Sequence, residues 1–374
     1  MIHLGWLAWA AGRPERFRVS SLLVRPGPLL AEWPPAVRVE TLSHLDQARS
    51  RLERWVSTRL VDRPRIVARR FRRYLARLDL REIDVVFVNT LTLGWLLAEL
   101  PPGACPVVVH AHELAGATGR FTTPQDLAVL RKVTNRWIAV SEAVRRHLVE
   151  NLAVVPERVA VIRNFLPPRE PFLLTRAQAR AQLAGLHPLP AGAPWIVAVG
   201  NLAPVKDPAM FLAVAERIRT VLGRTCAFIW VGDGARTVSG KEILRSSAAR
   251  QVFFAGPAAD PRIWLAAADF ALVTSIEESS SLVVLEAAEA GTPIIAFSGT
   301  GGSDEFLRGG AGCLVAERSA EALTAAVERW LDRPDEATGC AAVAAEKVRS
   351  EASYESQCEA LAAVLECVRE ERVR

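Results

Sequence analysis

Ser275-Ile-Glu-Glu278-Ser-Ser-Ser-Leu-Val-Val-Leu-Glu286-Ala-Ala-Glu-Ala-Gly291-Thr-Pro293 is the stretch whose reading decides the fold. The residues before it, Ala268-Asp-Phe-Ala-Leu-Val-Thr274, read as a buried strand, and from Leu282 onward the apolar positions take helical spacing. Serines 279 to 281 therefore fall at a helix N-terminus, where serine is expected to cap. Glu278 sits just outside the first turn and Glu286 just over one turn inside, with unpaired backbone N–H groups between them. An anion such as a diphosphate fits at such a terminus. Carboxylates repel a diphosphate, so the two glutamates are expected to accept hydrogen bonds from sugar hydroxyls on either side of it. The arrangement suits a nucleotide-sugar.

A Glu-x7-Glu spacing alone carries little, but three further segments accompany it in a fixed order. Trp195-Ile-Val-Ala-Val-Gly200-Asn-Leu-Ala-Pro204-Val-Lys206-Asp reads as a strand and loop, and Phe228-Ile-Trp-Val-Gly232-Asp-Gly234 as a second strand and turn. Gly299-Thr-Gly301-Gly302-Ser-Asp-Glu305-Phe supplies a glycine-rich loop after the signature helix. This ordered set resembles the family-4 retaining glycosyltransferases (glycosyl transferases group 1) of the GT-B fold. Their signature is Glu-x7-Glu followed by Glu-Ala-x3-Gly-x-Pro, matched here by Glu286-Ala-Ala-Glu-Ala-Gly291-Thr-Pro293.

Composition agrees without deciding. A chain of 374 residues suits two domains, and no apolar run reaches the roughly 18 residues of a transmembrane helix. The six cysteines are scattered with no CxxC pair, which reads as reduced thiols in a cytoplasmic protein. Charge is local: residues 49–81 hold twelve arginines against three acids, net +9, while the whole chain is +5 and the remainder therefore −4. Trp55, Leu60, Ile66, Val67, Phe71 and Tyr74 are interleaved with them, predicting basic amphipathic helices broken near Pro64. One reading is contact with anionic lipid head groups on the cytoplasmic membrane face. The competing reading is a solvated arginine face whose apolar side packs on the sheet; nucleic acid ranks below both.

Strand-like runs at 18–24, 37–41, 84–89, 106–111, 136–140 and 159–162 are mostly separated by helical stretches, and a second αβ series begins after Gly192. The alternation predicts mostly parallel sheets wound on both faces. Pro167, Pro168 and Pro171 mark the boundary, giving an acceptor-side Rossmann-like domain over 1–167 and a nucleotide-sugar-binding domain over 168–350, with a cleft between them. One Ala-rich helix is expected from about residue 336 to 372, and residues 351–374 are expected to cross back to the first domain, as the resemblance implies. The start departs from the family pattern: residues 4–11 read as the first helix, so the first strand and its glycine turn are missing; either translation begins here and leaves that sheet position open, or, as expected, they lie in frame upstream of Met1.

The resemblance implies roles residue by residue. His112, in Val107-Val-Val-His110-Ala-His112-Glu113, aligns with a histidine facing the donor's sugar and phosphate, while His110 reads as a strand-end residue. Lys206 is implied to neutralise the diphosphate and the charge growing on the leaving group. Asn201 stands where the family usually has arginine, and it donates a hydrogen bond without charge. Glu278 is implied to accept from the transferred sugar, Glu286 from the ribose, and the N–H groups of Leu282 and Val283 to meet the diphosphate. Gly200 and Gly232 line the nucleotide turn. The segments Val140-Ser-Glu142 and Arg163-Asn-Phe165 resemble cleft-wall segments.

The reading is a metal-independent retaining glycosyltransferase with no cofactor, acting on a nucleotide diphosphate-sugar and a saccharide or lipid-linked saccharide acceptor in cell-surface polysaccharide assembly. Retention is implied to proceed by same-face attack through an oxocarbenium-like state, with no protein nucleophile assigned. Two other classes stay open at this point: a nucleotide-sugar epimerase of the same architecture, and a non-catalytic nucleotide-sugar-binding partner.

Overall fold

The computed structural model describes residues 2–24, 27–42, 64–170, 172, 174–190, 192–235, 237–249 and 251–373. They divide into two compact units, one of Met1–Val140, Val144–Ile162 and Tyr354–Arg374, the other of Ser141–Ala143 and Arg163–Ser353. Both are built on parallel sheets.

In the first unit β1 (Ser20–Leu23) pairs with β2 (Arg38–Thr41), and β3 (Val86–Val88), β4 (Val107–Ala111), β5 (Arg136–Ala139) and β6 (Val159–Val161) form a second sheet in that order. Among the described residues no ladder joins the two sheets. Strand β4 is buried along its whole length, as a central parallel strand covered on both faces must be. The helix Ile2–Ala11 precedes β1 and is apolar nearly all round, which fits its burial: Trp6, Leu7, Trp9 and Ala10 are all buried, and Trp6 stacks on Phe87 of β3 at 5.7 Å. The last helix, Tyr354–Val373, clamps this one, with Tyr354 Oη donating to the Gly5 carbonyl at 2.9 Å and Arg16 paired with Glu359 and Glu366.

The expected long terminal helix is two, Pro334–Glu351 and Tyr354–Val373. Helical geometry is lost at Ala352 (φ −119°, ψ 28°), which turns inward to pack with Leu166 and Leu285. Burial of a small apolar side chain there replaces continuation of the helix.

Of the basic stretch, residues 49–63 lie outside the described residues. The remainder begins with the helix Pro64–Leu75, whose Val67 and Phe71 are buried with Leu42 and Leu96. Its apolar stripe therefore belongs to the unit's own core, as the competing reading expected. Arg70 donates to the Leu42 carbonyl at 2.8 Å and Arg72 pairs with Glu99 at 2.9 Å, while Arg65, Arg69 and Arg73 face solvent. No helix among the described residues is long and apolar enough to cross a membrane.

The second unit holds one six-stranded sheet in the order β12 (Cys313–Val315), β11 (Ile294–Phe297), β10 (Phe270–Val273), β7 (Trp195–Val199), β8 (Ala227–Val231), β9 (Val252–Gly256). Consecutive strands β7, β8 and β9 step one way, and the chain then returns to β10 on the other side of β7. The order reverses between β7 and β10, and loops at the C-terminal ends of those two strands are where such sheets place ligands. Two cores flank the sheet, one around Trp195, Val197 and Ile229, the other around Phe211, Trp230 and Trp330.

The turns after β7 and β8 are zipped together. Gly200 N–H donates to the Val231 carbonyl at 2.9 Å, Leu202 N–H to the Asp233 carbonyl at 2.8 Å, and Trp230 Nε1 to the Gly200 carbonyl at 2.8 Å. A Cβ on Gly232 would stand 1.9 Å from the Gly200 oxygen, so close backbone approach alone requires glycine there. Gly232→Ala is expected to cost about 1–3 kcal/mol in chemical denaturation. Gly119→Ala, in the Ala115–Phe121 helix with nothing within 4 Å of the new methyl, should instead stabilise by roughly 0.4–1 kcal/mol.

Candidate functional site

Lys206 and Glu278 meet at the C-terminal ends of β7 and β10. Lys206 ends a short 3-10 turn, Pro204–Lys206, after β7, and Asp207 follows in the left-handed region (φ 48°), capping the next helix by accepting from Met210 N–H. The ammonium Nζ lies 2.5 Å from Glu278 Oε1, which also accepts from Ser275 Oγ at 2.7 Å. Glu278 is 7% exposed. A carboxylate that dry is tolerable because a cation and a hydroxyl both meet it.

The loop carrying Glu278 is held on its other side by the glycine-rich loop. Glu278 N–H donates to the Thr300 carbonyl, and the Glu278 carbonyl accepts from Gly302 N–H, both at 2.8 Å. A Cβ on Gly302 would approach the Ser279 oxygen to 2.0 Å, so this contact also admits only glycine. Asn164 Nδ2 donates to the Ser280 carbonyl at 2.9 Å, and Glu142 N–H to Glu305 at 3.0 Å, so both cleft-wall segments brace loops of the second unit. The expected serine cap is absent: Ser281 is the N-cap residue of the helix Leu282–Glu289, but its side chain makes no capping bond. Lys206, Ser275, Glu278, Ser281, Val199 and Val283 line one small cleft. Leu282 and Val283 form the first turn beside it, and helical geometry leaves their N–H groups without intrahelical acceptors.

Glu286 lies one helical turn further on, 2% exposed, and Arg169 Nη1 donates to its Oε1 at 3.1 Å. Burial pushes the Glu286 carboxyl above its usual range, and Arg169 pulls it back. Asn201 is exposed, its Oδ1 accepting from Ala203 N–H at 3.3 Å within its own loop.

Sequence reasoning missed Arg318, which lies beyond β12. Its guanidinium donates to the Ser275 carbonyl at 3.0 Å, to the Thr274 carbonyl at 2.8 Å and to Asp207 Oδ2 at 2.8 Å, and it lies 4.5 Å over the Phe297 ring. One arginine thus ties the residue after Lys206 to the strand end before Glu278. No local pattern signals it, since its partners lie 43 and 111 residues away. Arg169 lies in the proline-rich boundary segment, where no local pattern signals its partner either.

His112 belongs to the first unit, just past β4. Its Nε2 lies 3.0 Å from Asn89 Oδ1, and its ring centroid is 4.2 Å from that of His110. Burial holds His112 down at about 4, with His3 a further cause, and drives His110 well below the ordinary imidazole value. The imidazole of His112 is therefore neutral near pH 7: it can share a hydrogen bond but brings no positive charge. Glu113 ties its loop to the segment after β3, accepting from Thr90 Oγ1 and Leu91 N–H as well as from His112 N–H. Among the described residues no cluster of three or more His, Cys, Asp or Glu side chains is arranged to hold a metal ion.

Burial likewise lowers His3 to about 4. A histidine depressed when folded takes up its proton more readily when unfolded, so stability falls as the pH drops from about 6.5 toward 4. Urea unfolding followed across that window should show the loss, and His3→Asn together with His112→Asn should shrink it to the part that His110 retains; an unchanged slope would show that these rings titrate normally.

Two family models match the chain: "Glycosyl transferases group 1" over residues 193–333 and "Glycosyltransferase Family 4" over residues 29–170. Among curated proteins it is similar to the D-inositol 3-phosphate glycosyltransferase of Thermobispora bispora, 32% identical over 238 residues, 59% of this chain and 53% of that protein. That of Nocardia farcinica is 31% identical over 246 residues, 59% and 51% of the two chains. The chain spans about half the length of these relatives. Among solved structures, Anabaena HepE in complex with UDP-glucose superposes with a TM-score of 0.75 at 18% identity, covering 97% of this chain and 96% of that one. Sucrose-phosphate synthase from Thermosynechococcus elongatus gives 0.73 at 20% identity, covering 98% and 92%. At such identities the likeness speaks to the fold, which is GT-B.

Proposed function

Because the chain belongs to the group 1, family-4 glycosyltransferases, we propose that it transfers a sugar, with retention, from a nucleotide diphosphate-sugar to a saccharide or lipid-linked saccharide acceptor. The observation that carries the reading is the Lys206–Glu278 pair in a cleft beside the first turn of the Leu282–Glu289 helix. A cation, a hydroxyl acceptor and unspent N–H groups are what a sugar diphosphate needs at its leaving-group end.

In this reading the diphosphate lies against the N–H groups of Leu282 and Val283, and Lys206 turns from Glu278 toward the phosphate oxygens as charge builds on them. Glu278, relieved of its cation, accepts from hydroxyls of the transferred sugar. Glu286 accepts from the ribose. Gly200, Asn201 and Gly232 form the turn beside the nucleotide, where Asn201 leaves Lys206 as the cation of its loop. His112 offers a neutral imidazole to a sugar hydroxyl. The curated relatives are named for an inositol phosphate acceptor; this chain's acceptor is proposed only as a saccharide class.

Lys206→Ala should lower turnover at least tenfold, since a cation on a leaving diphosphate contributes several kcal/mol. It should also destabilise by roughly 1–3 kcal/mol by leaving Glu278 buried without its cation. Glu286→Ala should mainly weaken nucleoside diphosphate binding in isothermal titration. Product analysis with and without saccharide acceptors tests the activity itself: donor turnover to an epimer without acceptor, or no turnover at all, would refute transfer.

We further propose a peripheral role for the basic surface on the cytoplasmic membrane face, through head-group attraction alone. The supporting observation is that the Pro64–Leu75 helix keeps its apolar stripe inward and Arg65, Arg69 and Arg73 outward. Cosedimentation with anionic vesicles should therefore occur at low salt and be lost at high salt. Equal binding to neutral vesicles would count against it.

A further inference from the structure

Glu286 is the most buried carboxylate of the second unit's candidate site, and the groups that surround it can be named. From the segment entering the unit, Arg169 Nη1 donates to Oε1 at 3.1 Å. From its own helix comes Glu289, 3.5 Å from Arg169 Nη2 and half exposed. From beyond β9 come Asp260 and Arg262, which are locked to each other: Arg262 donates from Nε to both carboxylate oxygens and from Nη2 to Oδ2 at 2.7 Å. The Pro334–Glu351 helix packs on the helix that carries Glu286, with Val348 in the cluster of Leu282 and Leu285. Arg169 is therefore the cation in direct contact with Glu286.

Arg169 is itself fixed from behind. Arg262 Nη1 donates to the carbonyl of the adjacent Glu170 at 3.1 Å and its guanidinium stands 5.5 Å over the Phe172 ring. Yet Nε of Arg169 is buried without a hydrogen-bond acceptor, and Nη2 has only its ion-pair contact with Glu289 at 3.5 Å. A buried guanidinium with a donor unspent is a poor device for stability alone, because an orphan donor costs about 1–3 kcal/mol.

We propose that Arg169 is a positioning residue of the donor site: it keeps the buried Glu286 carboxylate charged and aimed, so that Glu286 accepts from the donor's ribose hydroxyls. The inference rests on the ribose role proposed above for Glu286. Burial favours the protonated acid and Arg169 opposes that preference. Without the guanidinium, Glu286 holds a proton to higher pH, and a protonated carboxyl loses one acceptor site and gains a donor facing another donor.

The test is isothermal titration of UDP, GDP and ADP into the full chain and its variants, the tightest nucleotide being carried forward. The readout is the ratio of wild-type to variant affinity at each pH, in which titration of the diphosphate itself cancels. Arg169→Gln should weaken binding about tenfold near pH 6 and recover much of that as the pH rises and Glu286 ionises again. In a Glu286→Gln background the same substitution should no longer change the pH dependence. Arg169→Lys should show a smaller loss of the same pH sense, and it carries the test if Arg169→Gln does not fold. A loss that is the same at every pH would make Arg169 a direct nucleotide contact and overturn the proposal. If Glu286→Ala leaves affinity unchanged, or if none of the three nucleotides binds the wild type, the ribose reading itself fails, a result distinct from a pH-independent Arg169 effect.

Discussion

Taking a carboxylate out of water costs several kcal/mol unless a cation and hydrogen-bond donors meet it. The second unit does this twice within nine residues. Glu278 and Glu286 are 7% and 2% exposed, and each has one basic partner from elsewhere in the chain, Lys206 and Arg169. Much of the surrounding architecture follows from keeping those two pairs in register. Neither carboxylate could be buried if its loop were free to drift, because a shift of about an ångström would leave a charge without its partner.

The devices that prevent drift come from loops beyond neighbouring strand ends rather than from the signature itself. Arg318 clasps Asp207 and the Thr274 and Ser275 carbonyls, fixing the β7 and β10 ends to each other. Gly302 lets the glycine-rich loop lie directly on Ser279, and the two hydrogen bonds to the Glu278 backbone then form a short bridge. On the far side the Gly200–Gly232 approach locks the loop that carries Lys206 to its neighbour. The helix Leu282–Glu289 is short and lacks a side-chain cap, so its position depends on these braces and on the Ala-rich packing of Ala287 and Ala288.

What was legible in the sequence was what repeats locally. Three strands of the second unit, Trp195–Val199, Ala227–Val231 and Phe270–Val273, are apolar runs of four or five residues, the first two ending at glycine, and the Glu-x7-Glu segment declares its own strand, loop and helix. What was not legible was pairing at long range. Arg169 sits in the segment that reads as a linker and Arg318 in one that carries no motif, and only the fold brings each onto partners 43 to 117 residues away. The serine cap failed for a related reason: local propensity places serine at the N-cap, but Ser280 and Ser281 are held by the loop packing around Glu278, where Asn164 takes the Ser280 carbonyl. The break at Ala352 was hidden because alanine favours helix continuation, and only tertiary burial against Leu166 and Leu285 ends it.

The two ion pairs also bear on how a donor would bind. In the proposed donor site, with Lys206 already on Glu278, an arriving diphosphate would not meet a free cation but would exchange one anion for another at the same ammonium. The gain would then be the difference between two charge-assisted contacts, and Glu278 would become available to a sugar hydroxyl only as its cation left it. On that proposal, diphosphate and sugar recognition would be coupled through the Lys206 ammonium. A diphosphate without its sugar would strip Glu278 of its cation and give the buried carboxylate nothing in return, whereas the intact donor would replace what it removes. Such an exchange favours the whole nucleotide-sugar over its fragments without any additional contact, and it requires that the lysine be held loosely enough to turn while both loops stay fixed. Lys206 is about a quarter exposed and its backbone is pinned by Thr274, the combination that this exchange needs.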